Sequence, residues 1–336
     1  MILYHGYPVQ VFDAYTADGY VLRLHRIPFG KNGNFTHRDP NSPVIYLQHG
    51  LLGSSGDWVE NLPNESFDFF FKIILNVSLI LSFILADAGF DVWLGNSRGN
   101  SYSIRHVNYS IDDELFWKFS WYEMAKYDLD ATFDLILKET GQDSLYYVGF
   151  SQGTLIMFTK LADDPIFATK IRKFFALGPI GTVAHVRGLL QILATRIFRD
   201  KRVAIHFFGT KYFMLNSKLS KILSILICGT RFFNPLCSSI LFQLSGPESN
   251  QFNESRLPVY VAGEGGTSVM NILHWIQMVN SGKLQAYSYD SVKENQKYYG
   301  QDSAPIYDLS SINASIYLFW SKEDWLANPI DIQVGD

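Results

Sequence analysis

Two rhythms of apolar and polar positions alternate along most of the chain. Residues 9–27, VQVFDAYTADGYVLRLHRI, read as two extended pieces around a turn at Asp18–Gly19, with Val21, Leu24 and Ile27 set among polar neighbours. After a polar loop at 31–43, the run PVIYLQHG is apolar over a strand's length and stops at a glycine, as a buried strand of a parallel sheet does. FDVWLGNSRG at 90–99 has the same form. WYEMAKYDLDATFDLILKETG at 121–141 switches to helical spacing, which places Met124, Tyr127, Leu129, Phe133, Ile136 and Leu137, and it ends on Gly141. LYYVGF, SQGTLIMFTKLA and KFFALGP at 173–179 then read as strand, helix and strand. Such alternation predicts a mostly parallel α/β sheet flanked by helices.

The rhythm breaks at 181–256, where helical apolar patches such as HFFGTKYFMLNSKLSKILSILI show no clear strand pairing. This stretch is expected to be a helical cap inserted between an N-terminal core part (1–180) and a C-terminal core part (257–336). Beyond it the pattern predicts a strand near Leu257–Val261, a helix near Val269–Val279 and a strand at Ser315–Trp320. A second irregularity is FDFFFKIILNVSLILSFILADAG at 67–89. Its apolar run Phe69–Ala86 includes Lys72, Asn76, Ser78 and Ser82 and is marginal against the ~20 residues of a membrane span. A buried or interfacial helix, or an insertion foreign to the fold, is the competing reading.

Composition narrows the class. Hydrophobic residues make up 47% of the 336 and charged residues 18%, which excludes a disordered chain. A net charge of −4 leaves no electrostatic footprint for nucleic acid. The two cysteines, Cys228 and Cys237, have no histidine cluster beside them and cannot build a structural zinc site; they either close a small loop or lie as buried thiols. No metal or cofactor is expected, and no obligate protein partner is evident. N-x-S/T triplets begin at Asn34, Asn64, Asn76, Asn108, Asn253 and Asn313, while the N-terminal residues MILYHGYPVQ carry no signal-peptide pattern.

The chemistry gathers around Gly149-Phe150-Ser151-Gln152-Gly153, a G-x-S-x-G set between a predicted strand and a predicted helix. That context exposes a serine hydroxyl on a strained turn, so Ser151 is the candidate nucleophile. His49-Gly50-Leu51-Leu52-Gly53 ends an earlier strand, and the backbone N–H groups of Leu51 and Gln152 are candidate oxyanion donors. His49 precedes the serine, against the order serine, acid, histidine, and is expected to orient its loop. Asp324, just past the strand SIYLFW, is the candidate acid, ahead of Glu323 and Asp302. None of the eight histidines follows Asp324, and His274, in ILHWIQMV, reads as a helix-face or core residue. A hydroxyl without an imidazole is a poor nucleophile.

Taken together, GYPVQVFDAYTADGYVLRLHRIP, IYLQHGLLGSSGDW, LADAGFDVWLGNSRGNSYS, WYEMAKYDLDATFD, YYVGFSQGT, GTSVMNILHW and DWLANP resemble the acid lipase family, which includes gastric and lysosomal acid lipases. The resemblance implies an α/β-hydrolase fold with a helical cap. It also implies hydrolysis of neutral-lipid esters (triacylglycerol or cholesteryl ester) at a lipid–water interface, in a secreted or lysosomal protein. It places the nucleophile on Ser151, the acid on Asp324, the oxyanion donors on Leu51 and Gln152, a cap disulfide on Cys228–Cys237, and glycans on Asn64 and Asn253. Three features depart from the family pattern. Phe150 stands where the family has histidine in G-H-S-Q-G, residues 67–80 interrupt the match, and no residue here matches the family's catalytic histidine in its N-H-x-D-F-like motif beyond the acid. The competing expectation is a catalytically inactive hydrolase fold that binds lipid or protein.

Overall fold

The computed structural model describes residues 1–31, 39–60, 81–214, 234–247, 257–261, 263 and 265–333. At the N-terminal end β1 (Gln10–Tyr15) and β2 (Tyr20–Ile27) form an antiparallel pair whose turn contains Gly19 at φ 100°. β3 (Val44–Gln48) is buried at every residue, and β4 (Asp91–Leu94) follows α1 (Leu81–Asp87). A two-residue strand, β5 (Arg105–His106), pairs with β2. Residues 121–140 form one helix, α2, in which a π turn at Met124–Asp128 joins Trp121–Glu123 to Leu129–Thr140. Gly141 closes it in the left-handed conformation at φ 68°.

β6 (Leu145–Phe150), α3 (Gln152–Asp163) and β7 (Ile171–Leu177) supply the central strand–helix–strand unit. Helical segments come next: α4 (Gly188–Ile192, continued by the π turn Leu193–Ile197), α5 (Lys201–Phe208), α6 (Asn234–Ser245) and α7 (Leu257–Val261). β8 (Tyr212–Phe213) pairs with β9 (Thr267–Ser268), which leads into α8 (Val269–Ser281) and α9 (Val292–Tyr299). β10 (Ile316–Phe319) and the short α10 (Pro329–Gln333) complete the described chain. The main sheet runs in the order β1-β2-β4-β3-β6-β7-β10, with parallel pairing from β4 through β10.

Alternate residues of each strand feed two cores, because successive side chains of a strand point to opposite faces. Val44 and Tyr46, Trp93, Tyr147, and Phe174 and Ala176 join Phe133 and Ile136 of α2 and Leu155 and Phe158 of α3 in one core. Ile45 and Leu47, Val92 and Leu94, and Val148 join Phe83 and Ala86 of α1 in the other. A sheet covered on both faces explains why β3 and β4 read as continuous apolar runs instead of alternating ones. This is an α/β-hydrolase fold: a mostly parallel sheet flanked by helices, with a helical segment inserted in its connections.

Two elements differ from the sequence pattern. Leu257–Val261 is helical, not extended. A short apolar run does not distinguish the two states, and Pro258 at the second position suits a helix's first turn. The segment after β7 also contains a strand pairing, β8 with β9, too short to leave a periodic signal. Residues 67–80, Asn34, Asn64, Asn76, Asn253 and Cys228 lie outside the described residues; Cys237 is on α6. Among the described residues no helix is long and apolar enough to cross a membrane.

Candidate active site

Ser151 occupies the turn between β6 and α3 at φ 50° and ψ −113°, a strained backbone for a residue with a Cβ. Its N–H donates to the Leu177 carbonyl at 2.9 Å. The flanking glycines are sterically required. A Cβ on Gly149 would lie 2.7 Å from the carbonyl carbon and oxygen of Gly153, and one on Gly153 would lie 2.5 Å from the Gln48 carbonyl oxygen. The first turn of α3 therefore lies directly against the end of β3. Strand end and elbow meet again at Gly50, where a Cβ would be 3.2 Å from Ser151 Cβ and 3.1 Å from Phe150 Cδ1.

The loop after β3 is held from three sides. His49 is buried; its Nδ1 donates to the Gly50 carbonyl at 2.8 Å and its Nε2 accepts the Ser97 N–H at 3.0 Å. These partners fix the neutral tautomer, and burial lowers its pKa to about 4. Ser97 belongs to a loop anchored by Arg98, which is buried between Asp18 and Asp128 and lies over the Tyr20 ring. Leu52 adopts φ 61°, and a Cβ on Gly265 would overlap its carbonyl. Among the described residues, the amide N–H groups of Leu51 and Gln152 have no acceptor within the chain. For Gln152 this follows from its place at the first turn of α3, where backbone donors have no intrahelical partner.

Asp324 is buried at the mouth of the same strand ends. Its Oδ1 accepts the N–H groups of Leu326 at 2.8 Å and Ala327 at 3.0 Å. Oδ2 accepts no hydrogen bond among the described residues and lies 3.8 Å from where a Cβ on Gly178 would be. The Phe150 ring reaches the same position with its Cε2, so Phe150 spans from the Gly50 loop to the acid's surroundings. Burial raises the Asp324 pKa to about 6 against the pull of its two backbone donors. Glu323 is exposed, and Asp302 accepts from Gln296 on α9.

No imidazole is hydrogen-bonded to Ser151 or Asp324 among the described residues. His274 is fully buried, stacked 4.1 Å from Trp121, with Nδ1 against Ser120 Oγ and Nε2 donating to the Gln285 carbonyl. Burial lowers its pKa to about 3. The described residues also contain no metal-binding cluster of histidine, cysteine or acid groups.

One clamp was not legible in the sequence. Gln152 Oε1 accepts hydrogen bonds from Asn271 Nδ2 at 2.9 Å and Trp275 Nε1 at 2.8 Å, both on α8, while its Nε2 faces Met124 Sδ at 3.6 Å. Asn271 Oδ1 in turn accepts the Trp121 N–H at 2.8 Å. The signal lay in the segment GTSVMNILHW, whose Asn and Trp are one helical turn apart, but nothing local names their partner.

Family comparisons agree with this fold. The description "Partial alpha/beta-hydrolase lipase region" matches residues 1–62, and "alpha/beta hydrolase fold" matches 43–199. Lipase lipl-1 of Caenorhabditis elegans is 45% identical over 335 residues, covering 99% of this chain and 79% of that protein. The chain belongs to the acid lipase family of α/β hydrolases. Human gastric triacylglycerol lipase is 44% identical over 335 residues, again covering 99% of this acid lipase and 79% of its relative. A solved structure from Sulfolobus solfataricus superposes with a TM-score of 0.56 at 12% identity, covering 97% of this chain and 91% of that one, a likeness of fold alone. By kind, this acid lipase is a serine hydrolase of the lipase and esterase class.

Proposed function

We propose that Ser151 is the nucleophile in hydrolysis of carboxylic esters of neutral lipids, triacylglycerol or cholesteryl ester, through an acyl-enzyme formed once an imidazole base stands at Asp324. The observation that carries the reading is the strained elbow, which presents Ser151 beside two backbone N–H groups that have no acceptor within the described chain. In the proposed cycle Ser151 Oγ attacks the ester carbonyl as a base removes its proton, and Leu51 and Gln152 N–H groups hold the resulting oxyanion. The tetrahedral intermediate then collapses, releasing the alcohol with that proton and leaving the acyl group on Oγ. Water repeats the sequence and frees the fatty acid. Each oxyanion donor is worth about 2.7–4 kcal/mol in such reactions.

Asp324 is proposed to orient the base through Oδ2, its oxygen without a hydrogen bond among the described residues. The base is proposed to be an imidazole that the described residues do not place at Asp324; His49 and His274 have both ring nitrogens engaged elsewhere. The helical segment 181–256 is proposed as a lid over Ser151, stapled by Cys228–Cys237, with glycans on Asn64 and Asn253. The family resemblance favours secretion or delivery to lysosomes. The second reading, a fold that binds lipid without turnover, is favoured by the absence of an imidazole at that Oδ2 among the described residues.

Release of fatty acid from emulsified triacylglycerol or cholesteryl ester by the chain extended with a segment carrying the family histidine, abolished in Ser151→Ala, tests the first reading. Saturable lipid binding with no release by that extended chain, unchanged in Ser151→Ala, would establish the second.

A further inference from the structure

We propose that Asp57 is a positioning residue for the proposed hydrolysis: its uncharged carboxyl closes the turn that presents the Leu51 N–H to the ester. Leu51 is the second residue of a four-residue turn in which the Gly53 N–H donates to the Gly50 carbonyl at 3.2 Å. Leu52 follows in the left-handed region at φ 61°, a strained backbone for a residue with a Cβ. Strain of this kind persists only where the surroundings over-determine it. His49 Nδ1 holds the first end of the turn through the Gly50 carbonyl. Asp57 holds the other end.

Asp57 is half-buried, and its Oδ1 accepts the Ser54 N–H at 3.2 Å. Ser54 in turn caps the single helical turn Ser55–Trp58 that carries Asp57, with its Oγ accepting the Gly56 N–H at 3.0 Å. The second carboxyl oxygen lies against the Leu51 turn itself. A Cβ on Gly53 would overlap Asp57 Oδ2 and would lie 3.1 Å from His49 Nδ1. Among the described residues no donor reaches Oδ2, and no lysine or arginine pairs with Asp57. The titratable groups around it are His49, which is buried and neutral, and Glu60, whose Oε1 would lie 2.8 Å from a Cβ on Gly56. Neither supplies a positive charge. An oxygen pressed against a glycine with no donor is a poor place for a negative one. Burial pushes the Asp57 carboxyl up to about 7.

The role in hydrolysis rests on the proposed function; the hold on the turn does not, and the two are tested apart. In the 336-residue chain, hydrogen exchange of the Gly53 and Ser54 amides, corrected for intrinsic exchange, reads opening of the turn. Opening returns the carboxyl to its ordinary 3.8, so between about 4 and 7 the closed turn binds more protons. Protection should therefore fall as pH rises through that range, by up to about tenfold per pH unit. Asp57→Asn keeps the Oδ1 acceptor without the charge and should remove the slope. In the chain extended with a segment carrying the family histidine, Asp57→Ala should lower kcat for a p-nitrophenyl ester by up to about 10²-fold, with KM unchanged. Asp57→Asn should keep the parent's kcat and hold it to higher pH. A protection slope that survives in Asp57→Asn would overturn the proposal. So would an Asp57→Ala chain that melts earlier but keeps its kcat. If the extended parent hydrolyses nothing, the proposed function falls, and the exchange slope alone supports or overturns the role of Asp57.

Discussion

Trp275 donates its indole N–H to Gln152 Oε1 at 2.8 Å, linking α8 to the residue immediately after Ser151. Asn271 donates to the same oxygen from one turn away. The backbone N–H of Gln152 can serve an oxyanion only if the first turn of α3 stays in place, and these two side chains fix that turn from outside the elbow. Asn271→Ala should cost about 1–3 kcal/mol, because it also leaves the Trp121 N–H buried without an acceptor. Trp275→Phe, which leaves Asn271 in place, should cost about 1 kcal/mol. Urea midpoints measure both, and the Gln152 amide should exchange its hydrogen faster in each variant.

Gly153 should be irreplaceable for a different reason. Its Cβ would meet the Gln48 carbonyl at 2.5 Å and the His49 carbonyl at 3.0 Å, both backbone atoms at the end of a buried strand. Gly153→Ala therefore has to displace β3 from α3, and a loss of about 3 kcal/mol or more is expected. Gly141→Ala is the matched control. There a Cβ meets nothing within 4 Å, and only the positive φ of 68° penalises it, by about 1–2 kcal/mol. Thermal melts of the two variants should rank in that order; equal losses would show that the close approach is not tight.

How much of this was legible follows from the range of each signal. β3, α2 and the Ser151 elbow are local, so hydrophobic period and glycine placement announce them. The role of His49 was accessible too, because chain order alone set it apart from the base. The Gln152 clamp joins residues far apart in the chain, and no periodicity records which indole reaches which amide. Leu257–Val261 was misread because five apolar residues carry no period, and the β8–β9 pair was missed because two-residue strands have none. Phe150 shows a third limit. Its departure from the family pattern was visible, but only the packed ring shows it lying between the Gly50 loop and the acid's surroundings.

Asp324 should make the protein less stable as pH rises through the mildly acidic range. Its carboxyl titrates near 6 when folded and at the ordinary 3.8 when unfolded, so between these values the native state binds more protons. Stability contributed by its protonated form is complete below about 4 and is lost by about 6, on the order of 3 kcal/mol in all. Asp324→Asn keeps an Oδ1 acceptor for Leu326 and Ala327 while removing the buried charge. The variant should match the parent's melting temperature near pH 4 and exceed it at pH 7. A difference that does not change with pH would exclude this account. An imidazolium placed on Oδ2 would pull the pKa down and remove the effect.

β10 should control solubility. It is the outermost strand on its side of the sheet in the described chain, with Tyr317, Leu318 and Phe319 each about two-fifths exposed. An apolar, unpaired edge is a template for pairing with another chain. Tyr317 is stacked on Phe175 and bonded to Lys173, so Leu318 is the position to change. Leu318→Lys should slow aggregation, read by light scattering at matched concentration, with little change in melting temperature. Aggregation at an unchanged rate would place the responsible surface elsewhere.

The final prediction concerns turnover by this polypeptide. The elbow serine, two backbone donors and a buried acid are grouped at the strand ends, yet both His49 nitrogens and both His274 nitrogens are committed to other partners, and burial keeps the two rings neutral. Neither is free to take the Ser151 proton, and their pKa values near 4 and 3 make them weak bases even if released. Removing one member of a catalytic triad leaves about 10³–10⁴-fold acceleration over water, from the oxyanion donors and binding alone. With no imidazole hydrogen-bonded to Ser151 or Asp324 among the described residues, the 336-residue chain should hydrolyse a p-nitrophenyl ester barely above background. Extension by a segment carrying the family histidine should raise the rate by several orders of magnitude, and Ser151→Ala should silence the extended chain. The assignment fails if the unextended chain turns over robustly, retains its rate in Asp324→Asn and loses it in His274→Ala. That result would mean α8 releases His274 from Ser120 and Gln285 during the reaction, and the acid would have to be sought at Glu123, whose half-buried carboxylate accepts the Ser120 N–H at 2.7 Å.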